Sequence, residues 1–231
     1  MLRLLGFFVV VLLVLNVARH LPLVGGLFQI PLFGFWLAAI LVSAVGSKFA
    51  GNWVDRRKER SLERQLGEVD TPHNLGKLGS LLLAQGRHAR ALGYLGRAIN
   101  GEPDVAEWRY RAGCALLGLG RPEEAVDVLI HCMKINEGHA YGQVLLRLGQ
   151  AYQGAGQAAE ALEILERYDV NHGPCPESAY RRGLALKALG RGEEARAALS
   201  SVGELVKQAP AYQRRGTWPW VARAGWARIR P

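Results

Sequence analysis

The chain has 231 residues, three cysteines and a formal net charge of +9 at pH 7. An odd, sparse set of cysteines excludes a disulfide framework and fits a reducing compartment, while the length suits one domain with an appendage. The positive charge favours acidic partners, an anionic membrane surface or nucleic acid.

Two apolar runs open the chain, covering residues 4–18 and 30–46, with a turn-forming segment between them. Each run is at the short end of the length that crosses a bilayer. We expect a transmembrane helical hairpin over residues 1–48. Two alternatives remain: a secretory signal followed by a buried helix, and a re-entrant hairpin that does not fully cross. No small-residue cleavage site follows the first run, which favours the hairpin.

Positive charge after the second run predicts the orientation, because such residues near a span stay cytoplasmic. The inter-span loop carries only Arg19 and His20. We therefore expect an inner-membrane protein with both termini in the cytoplasm. Residues 49–70 are expected to form a basic juxtamembrane helix or linker. Its cations belong either to a solvated helix or to a contact with lipid headgroups, the candidate membrane-surface residues being Arg56, Arg57, Lys58 and Arg60.

The remainder of the chain repeats with a period of 34 residues, interrupted once by a two-residue insertion. Each unit places a glycine seven residues before a turn glycine, an alanine five residues after it, and a leucine four residues later. The early glycines are Gly79, Gly113, Gly149 and Gly183; the turn glycines are Gly86, Gly120, Gly156 and Gly190; the leucines are Leu95, Leu129, Leu165 and Leu199.

This spacing predicts two antiparallel helices per unit. The early glycine and the alanine provide small side chains where two backbones approach, and the turn glycine ends the first helix with a positive φ. The unit resembles the tetratricopeptide repeat, and "AEWRYRAGCALLGLGRPEEAVDVL" (residues 106–129) is its clearest copy. The resemblance implies an all-α, right-handed solenoid of about four repeats over residues 71–203. The sequence departs from the family pattern at three positions. Glu137 replaces a closing proline, Trp108 lies one residue before the position expected for it, and Arg182 occupies a usually apolar position.

Residues 204–231 form a basic segment rich in tryptophan and arginine. We expect it to cap the solenoid with buried tryptophans. Contact with a membrane interface is an alternative, since tryptophan and arginine suit the headgroup region. Binding of single-stranded nucleic acid is a weaker alternative, and nucleic acid is an unlikely partner because no RNA-binding module is recognisable.

The family resemblance implies that the first helix of each repeat lines a partner-binding groove. One equivalent position is a cation in all four repeats: Lys77, Arg111, Arg147 and Arg181. These four residues suggest a row of positive charges along the groove, which we call the ladder. The alternative, non-functional interpretation is that these cations form a solvated helix face, because lysine and arginine are good helix formers. The candidate partner-binding residues are Lys77, Tyr110, Arg111, Arg147, Gln150, Tyr180, Arg181 and Lys187.

No catalytic motif, phosphate-binding loop or paired-carboxylate pattern is present in the sequence, and we expect no enzyme activity and no cofactor. The histidines and cysteines between residues 131 and 175 match no standard metal-ligand spacing. Cys132 occupies the small core position of the second repeat, where a cysteine acts as a small hydrophobe.

The combined pattern predicts a membrane-tethered scaffold that binds an acidic or helical protein segment in its groove. The order of two spans followed by repeats is similar to that of the membrane-anchored repeat proteins of bacterial haem-biosynthesis operons. The competing interpretation is a structural or assembly subunit of a membrane complex, packed through its hairpin. The sequence does not name the partner.

Overall fold

The structure is a computed structural model that describes residues 71–229. The predicted hairpin over residues 1–48, the juxtamembrane segment over residues 49–70 and its four candidate membrane-surface cations lie outside this range. Within residues 71–229, none of the helices is long and apolar enough to cross a membrane.

The described part of the chain is all α-helical, in agreement with the repeat pattern. In chain order its helices are α1 (Pro72–Ala84), α2 (His88–Gly101), α3 (Ala106–Gly118), α4 (Pro122–Ile135), α5 (Gln143–Gly154), α6 (Ala158–His172), α7 (Pro176–Ala188), α8 (Gly192–Gln208) and α9 (Ala211–Ile229). Helices α1 to α8 form four hairpins, one for each predicted repeat. The boundary expected between residues 203 and 204 falls within α8.

Local signals explain where the helices begin. The Thr71 side chain accepts a hydrogen bond from the Asn74 backbone N–H, and Pro72 follows it at the start of α1. Helix α4 opens with Pro122 and two glutamates, which favour the positive end of the helix dipole. Within each repeat the first helix then ends two residues before the predicted turn glycine, whose φ lies between 70° and 76° in all four hairpins.

The early glycine of each repeat lies where its two helices touch. A Cβ added at Gly113 would come within 2.6 Å of Cγ and Cδ2 of Leu129. The other three repeats show the same contact with their own leucine, at 2.6 to 2.7 Å. These leucines are almost fully buried. The glycine–leucine pair therefore sets the helix separation inside every hairpin, as the spacing predicts.

Packing between repeats continues the stack, because each second helix also contacts the first helix of the next hairpin. Trp108 illustrates this contact. Its ring packs over Gly76 of the first repeat, and its Nε1 donates to Oε2 of Glu102 at 2.8 Å. The one-place shift of this tryptophan thus leaves it buried between repeats.

The two other departures from the repeat pattern are compensated by ion pairs. The guanidinium of Arg182 lies 2.7 Å from Oδ2 of Asp169, which balances the charge at a usually apolar position. Glu137 pairs with Arg167 of α6 at 2.5 Å. Cys132 is fully buried, and its thiol lies 3.2 Å from the backbone oxygen of Ala106.

The two-residue insertion lies in the loop between α4 and α5. There Ala140, Tyr141 and Gly142 all have positive φ, between 53° and 76°. A left-handed backbone costs about 1–2 kcal/mol for each residue other than glycine. The loop accommodates the insertion while α4 and α5 keep the contact that joins the second and third repeats.

Helix α9 extends the stack as an additional first helix. It packs on α8 and on α7, the same pattern by which α7 packs on α6 and α5. Helix α9 lies at the end of the described stack, where a cap is expected, but the expectation of buried tryptophans is wrong for two of the three. Ala224 and Ala227 are the buried residues, while Trp218 and Trp226 are exposed. Small side chains are favoured here because α9 approaches α7 and α8 closely.

Candidate functional site

The first helices of the repeats form the inner surface of the stack. α1 contacts α3, α3 contacts α5, and α5 contacts α7. Second helices of successive repeats make no comparable contact within residues 71–229. A stack whose first helices are closer together than its second helices curves toward the first helices, which therefore line the concave side. We call this surface, formed by α1, α3, α5 and α7, the groove.

The predicted cations lie on successive helices of the groove but differ in their surroundings. Lys77 on α1 is exposed and forms no ion pair with the described residues. Arg111 on α3 is partly exposed, and its Nε donates to Oε1 of Glu107 at 2.6 Å. The first two steps of the ladder therefore remain accessible from solvent.

Arg147 and Arg181 belong to one network that joins α5 to α7. Nη2 of each arginine lies 2.8 Å from Oε1 of Glu177. Gln150 Oε1 accepts hydrogen bonds from Nη1 of Arg147 at 2.7 Å and from Nη2 of Arg181 at 2.9 Å. One carboxylate and one amide thus hold both guanidinium groups in defined positions across the helix seam.

Burial distinguishes Arg181 from the other cations of the ladder. It is 9% exposed, and burial lowers the pKa of its guanidinium, an effect that the nearby Glu177 carboxylate opposes. A buried charge depends on its partner, because leaving it unpaired is strongly destabilising. Arg181 is thus part of the structure that supports the groove.

Tyr110 lies between Arg111 and Arg147 on the same surface. Burial, followed by the neighbouring Cys114 with which it shares a hydrogen bond, raises the pKa of its hydroxyl to about 12. The Arg111 guanidinium lies 5.9 Å from its ring centroid. Burial also raises the pKa of the Cys114 thiol, so this half-buried cysteine is not an activated nucleophile.

Three further residues of this region were missed by the sequence reasoning. His139 comes from the insertion loop, and its Nε2 lies 2.7 Å from Oε2 of Glu107. Its ring also packs edge-on against Tyr110, with the centroids 5.5 Å apart. The two-residue insertion was the only available signal for His139. Glu107 and Glu177 stand four residues before Arg111 and Arg181, a spacing typical of helical ion pairs.

Helix α9 covers the last part of the predicted site. The Trp220 ring lies 5.4 Å from that of Tyr180 and 5.7 Å from the Arg181 guanidinium. Lys187 Nζ donates to the backbone oxygen of Ala227 at 3.0 Å. Three of the eight predicted partner-binding residues are therefore contacted by α9. The other five, on α1, α3 and α5, form the part of the site that α9 leaves uncovered.

The charge of the groove is positive but small. Around Tyr110 and Gln150, three arginines face two glutamates, which leaves a formal charge of +1, and Lys77 raises it to +2. Among the described residues, no group of three histidine, cysteine, aspartate or glutamate side chains is placed to hold a metal ion.

A family model described as tetratricopeptide repeat matches residues 77–129 and 146–212. The chain belongs to the tetratricopeptide-repeat (TPR) family. Proteins of this family are interaction scaffolds, which makes protein–protein interaction the general role of this TPR protein.

Known proteins similar to the TPR region differ widely in size. The TPR repeat-containing thioredoxin TTL4 of Arabidopsis thaliana is 29% identical over 112 residues, which are 48% of this chain and 16% of that protein. The chain thus spans about one sixth of that relative's length.

Two solved structures show the same fold. MamA 41-end from Desulfovibrio magneticus RS-1 is 20% identical, with a TM-score of 0.62 over 75% of this chain and 97% of that one. YrrB, described as a TPR protein with an unusual peptide-binding site, is 19% identical, with a TM-score of 0.54 over 73% of this chain and 84% of that one. At these identities the similarity shows the fold alone.

Proposed function

We propose that this TPR protein is a non-enzymatic, membrane-tethered adaptor that binds a protein partner in the groove of its first three repeats. The observation that carries the proposal is the fixed arrangement of Tyr110, Arg111, Arg147 and Gln150 on consecutive first helices. Arginine and tyrosine are the residue types that contribute most to binding at protein interfaces.

The ion pairs support binding by holding these side chains in place before a partner arrives. Arg147 is tied to both Glu177 and Gln150, and Tyr110 is bounded by Cys114, His139 and Arg111. Side chains that are already ordered lose less conformational entropy when they bind. The small net positive charge favours a partner segment with a few acidic residues interspersed with apolar ones.

The tether in this proposal is the apolar hairpin predicted over residues 1–48. Its positive flank, including Arg56, Arg57, Lys58 and Arg60, would lie at the cytoplasmic face of an inner membrane, with the repeats in the cytoplasm. Tethering raises the effective concentration of a bound partner near membrane complexes. The domain division proposed is hairpin, juxtamembrane linker, solenoid and C-terminal cap.

The test is affinity capture from native membranes with matched charge reversals. The groove variant is Lys77→Glu with Arg111→Glu. The buried Arg181 is left unchanged, because reversing it would disrupt the network around Glu177. The control variant is Lys134→Glu with Lys207→Glu, which reverses two exposed cations on the second helices α4 and α8. Circular dichroism establishes that both variants keep the helical content of the wild type.

We expect the wild type and the control to retain a common partner and the groove variant to lose it. A partner that the groove variant retains, and that is lost only when residues 1–48 are removed, would contradict the adaptor proposal. That result would instead support a membrane-complex subunit held through its hairpin.

A further inference from the structure

The outer face of α9 exposes three large apolar side chains. Trp218 is 65% exposed, Trp226 is 61% exposed and Ile229 is 83% exposed. At 100° per residue, they fall within an arc of about 80° around the helix. The buried residues Ala224 and Ala227 lie on the opposite side, against α7 and α8. α9 is therefore apolar on two faces, one packed and one open.

The last helix of a solenoid normally presents a polar outer side, because no further repeat covers it. Here the exposed face carries two tryptophans and an isoleucine instead. Alanine and glycine lie between them at positions 222 and 225, both exposed, so that the aromatic rings project from the helix. Exposed apolar groups arranged on one face of a helix indicate an interaction surface.

The charged residues of the C-terminal segment itself are all positive. Residues 209–231 contain five arginines and no aspartate or glutamate. Arg214, Arg223 and Arg228 are exposed on α9 itself. A second copy of the chain placed face to face would bring the same positive charges together, which opposes self-association. Charge complementarity therefore requires an anionic occupant.

A cavity of about 330 Å³ opens beside the C-terminal end of the face, between α8 and α9. Its walls carry three cations, Lys187, Arg196 and Arg228, beside the apolar side chains of Leu199 and Ile229. Arg196 also pairs with Glu193 at 2.6 Å, and Lys187 donates to Ala227, so Arg228 is the cation best placed to face outward. Cationic and apolar groups side by side match a phospholipid headgroup and the start of its acyl chains.

We propose that the outer face of α9, formed by Trp218, Ala222, Trp226 and Ile229, contacts an anionic bilayer surface. The indole rings lie at the level of the headgroups, and the flanking arginines bind lipid phosphates. A bilayer suits this face better than a protein partner does. The side chains form a projecting ridge, which a fluid surface accommodates without a complementary groove. The proposal does not depend on the groove or on the partner bound there.

The test uses the full chain reconstituted in phosphatidylcholine vesicles that contain phosphatidylglycerol and a trace of phosphatidylcholine bearing a photoactivatable group on its acyl chain. After irradiation, mass spectrometry measures lipid attachment to each peptide. The peptide containing Trp218 to Ile229 is compared with the peptide around Tyr141, an aromatic side chain that is 91% exposed in the α4–α5 loop. The matched variant is Trp218→Ser with Trp226→Ser, checked by circular dichroism.

We expect strong lipid attachment to the α9 peptide and little to the Tyr141 peptide. Attachment falls in the serine variant, because binding of an amphipathic helix to a membrane scales with the apolar area that it buries. It also falls when phosphatidylcholine replaces all phosphatidylglycerol, by about fivefold for each arginine that lies near the anionic surface. Equal attachment to both peptides, or none to α9, overturns the proposal. Labelling of α9 that neither the serine variant nor the lipid replacement reduces also overturns the proposal. A cross-link from α9 to a protein in native membranes, without lipid labelling of α9 in vesicles, overturns it as well.

Discussion

Replacing Gly113 by alanine tests the helix contact that is repeated in every hairpin. In an open helix, alanine is favoured over glycine by about 1 kcal/mol. At position 113, however, the added Cβ would lie 2.6 Å from two carbons of Leu129, which is about 1 Å inside ordinary contact. Overpacking of this kind costs about 1–3 kcal/mol. We therefore expect Gly113→Ala to lower the free energy of unfolding by up to about 2 kcal/mol, which is the overpacking cost less the gain in helix propensity.

Gly93 is the matched control, because it lies in the middle of α2 with no atom within 4 Å of an added Cβ. Gly93→Ala should raise the free energy of unfolding by up to about 1 kcal/mol. Urea unfolding of the full chain in a non-ionic detergent, followed by the helical circular dichroism signal, measures both changes. Equal effects of the two substitutions, of either sign, would show that the contact with Leu129 does not restrict the side chain at position 113.

A double variant separates the steric effect from other causes. Leu129→Ala alone removes a fully buried side chain and should cost about 2–5 kcal/mol. Its removal also clears the three side-chain atoms that the new Cβ would meet at position 113. Adding Gly113→Ala to Leu129→Ala should then cost nothing further. An additive loss would show that the Gly113–Leu129 contact is not the cause.

Two further predictions concern the charges and the hydroxyl group of the groove. Glu177→Gln should lower the free energy of unfolding by about 1.5–3 kcal/mol in urea melts, because it leaves the buried Arg181 without its carboxylate. The control, Glu193→Gln, changes a carboxylate that is 88% exposed and should alter the free energy of unfolding little. Equal effects of the two substitutions would contradict the role given to Glu177. For Tyr110, subtracting the ultraviolet absorbance titration of Tyr110→Phe from that of the wild type should show one ionisation near pH 12. Since the folded-state pKa is raised above the usual value near 10, burial of the neutral tyrosine stabilises the fold below pH 10, and this contribution to stability is lost as the pH rises toward 12. A difference titration centred at pH 10 would contradict the burial of Tyr110.

The helical hairpins could be predicted because their determinants are local and repeated. Each glycine meets a leucine sixteen residues later in its own hairpin, and the same pair recurs in all four repeats. The turn glycines have the positive φ that their position implies. Such contacts leave a periodic trace in the sequence, which reveals the fold without long-range information.

The pairing within the groove could not be predicted in the same way. Arg147 reaches Glu177 across thirty residues, and His139 reaches Glu107 across thirty-two, through side-chain conformations that no periodicity encodes. The equivalence of the four cations predicted that Arg147 and Arg181 occupy the same position on successive first helices, but it did not show that both share Glu177.

The position of the tryptophans also depended on tertiary packing. Composition indicated a capping segment, but which face of α9 meets α7 and α8 depends on how closely the helices approach. Ala224 and Ala227 allow that approach, so Trp218 and Trp226 point the other way. Trp220, at half-burial, contacts Tyr180 and Arg181 of the groove.

Site-specific photo-cross-linking in cells is the most direct test of whether a partner binds in the groove. A photoreactive amino acid replaces Arg111 on α3, and in a second protein it replaces Asp127, which is exposed on the second helix of the same repeat. We expect the partner retained in affinity capture to be cross-linked from position 111 and not from position 127. Cross-linking from position 127 alone, or from neither position while the partner still co-purifies, would contradict this expectation.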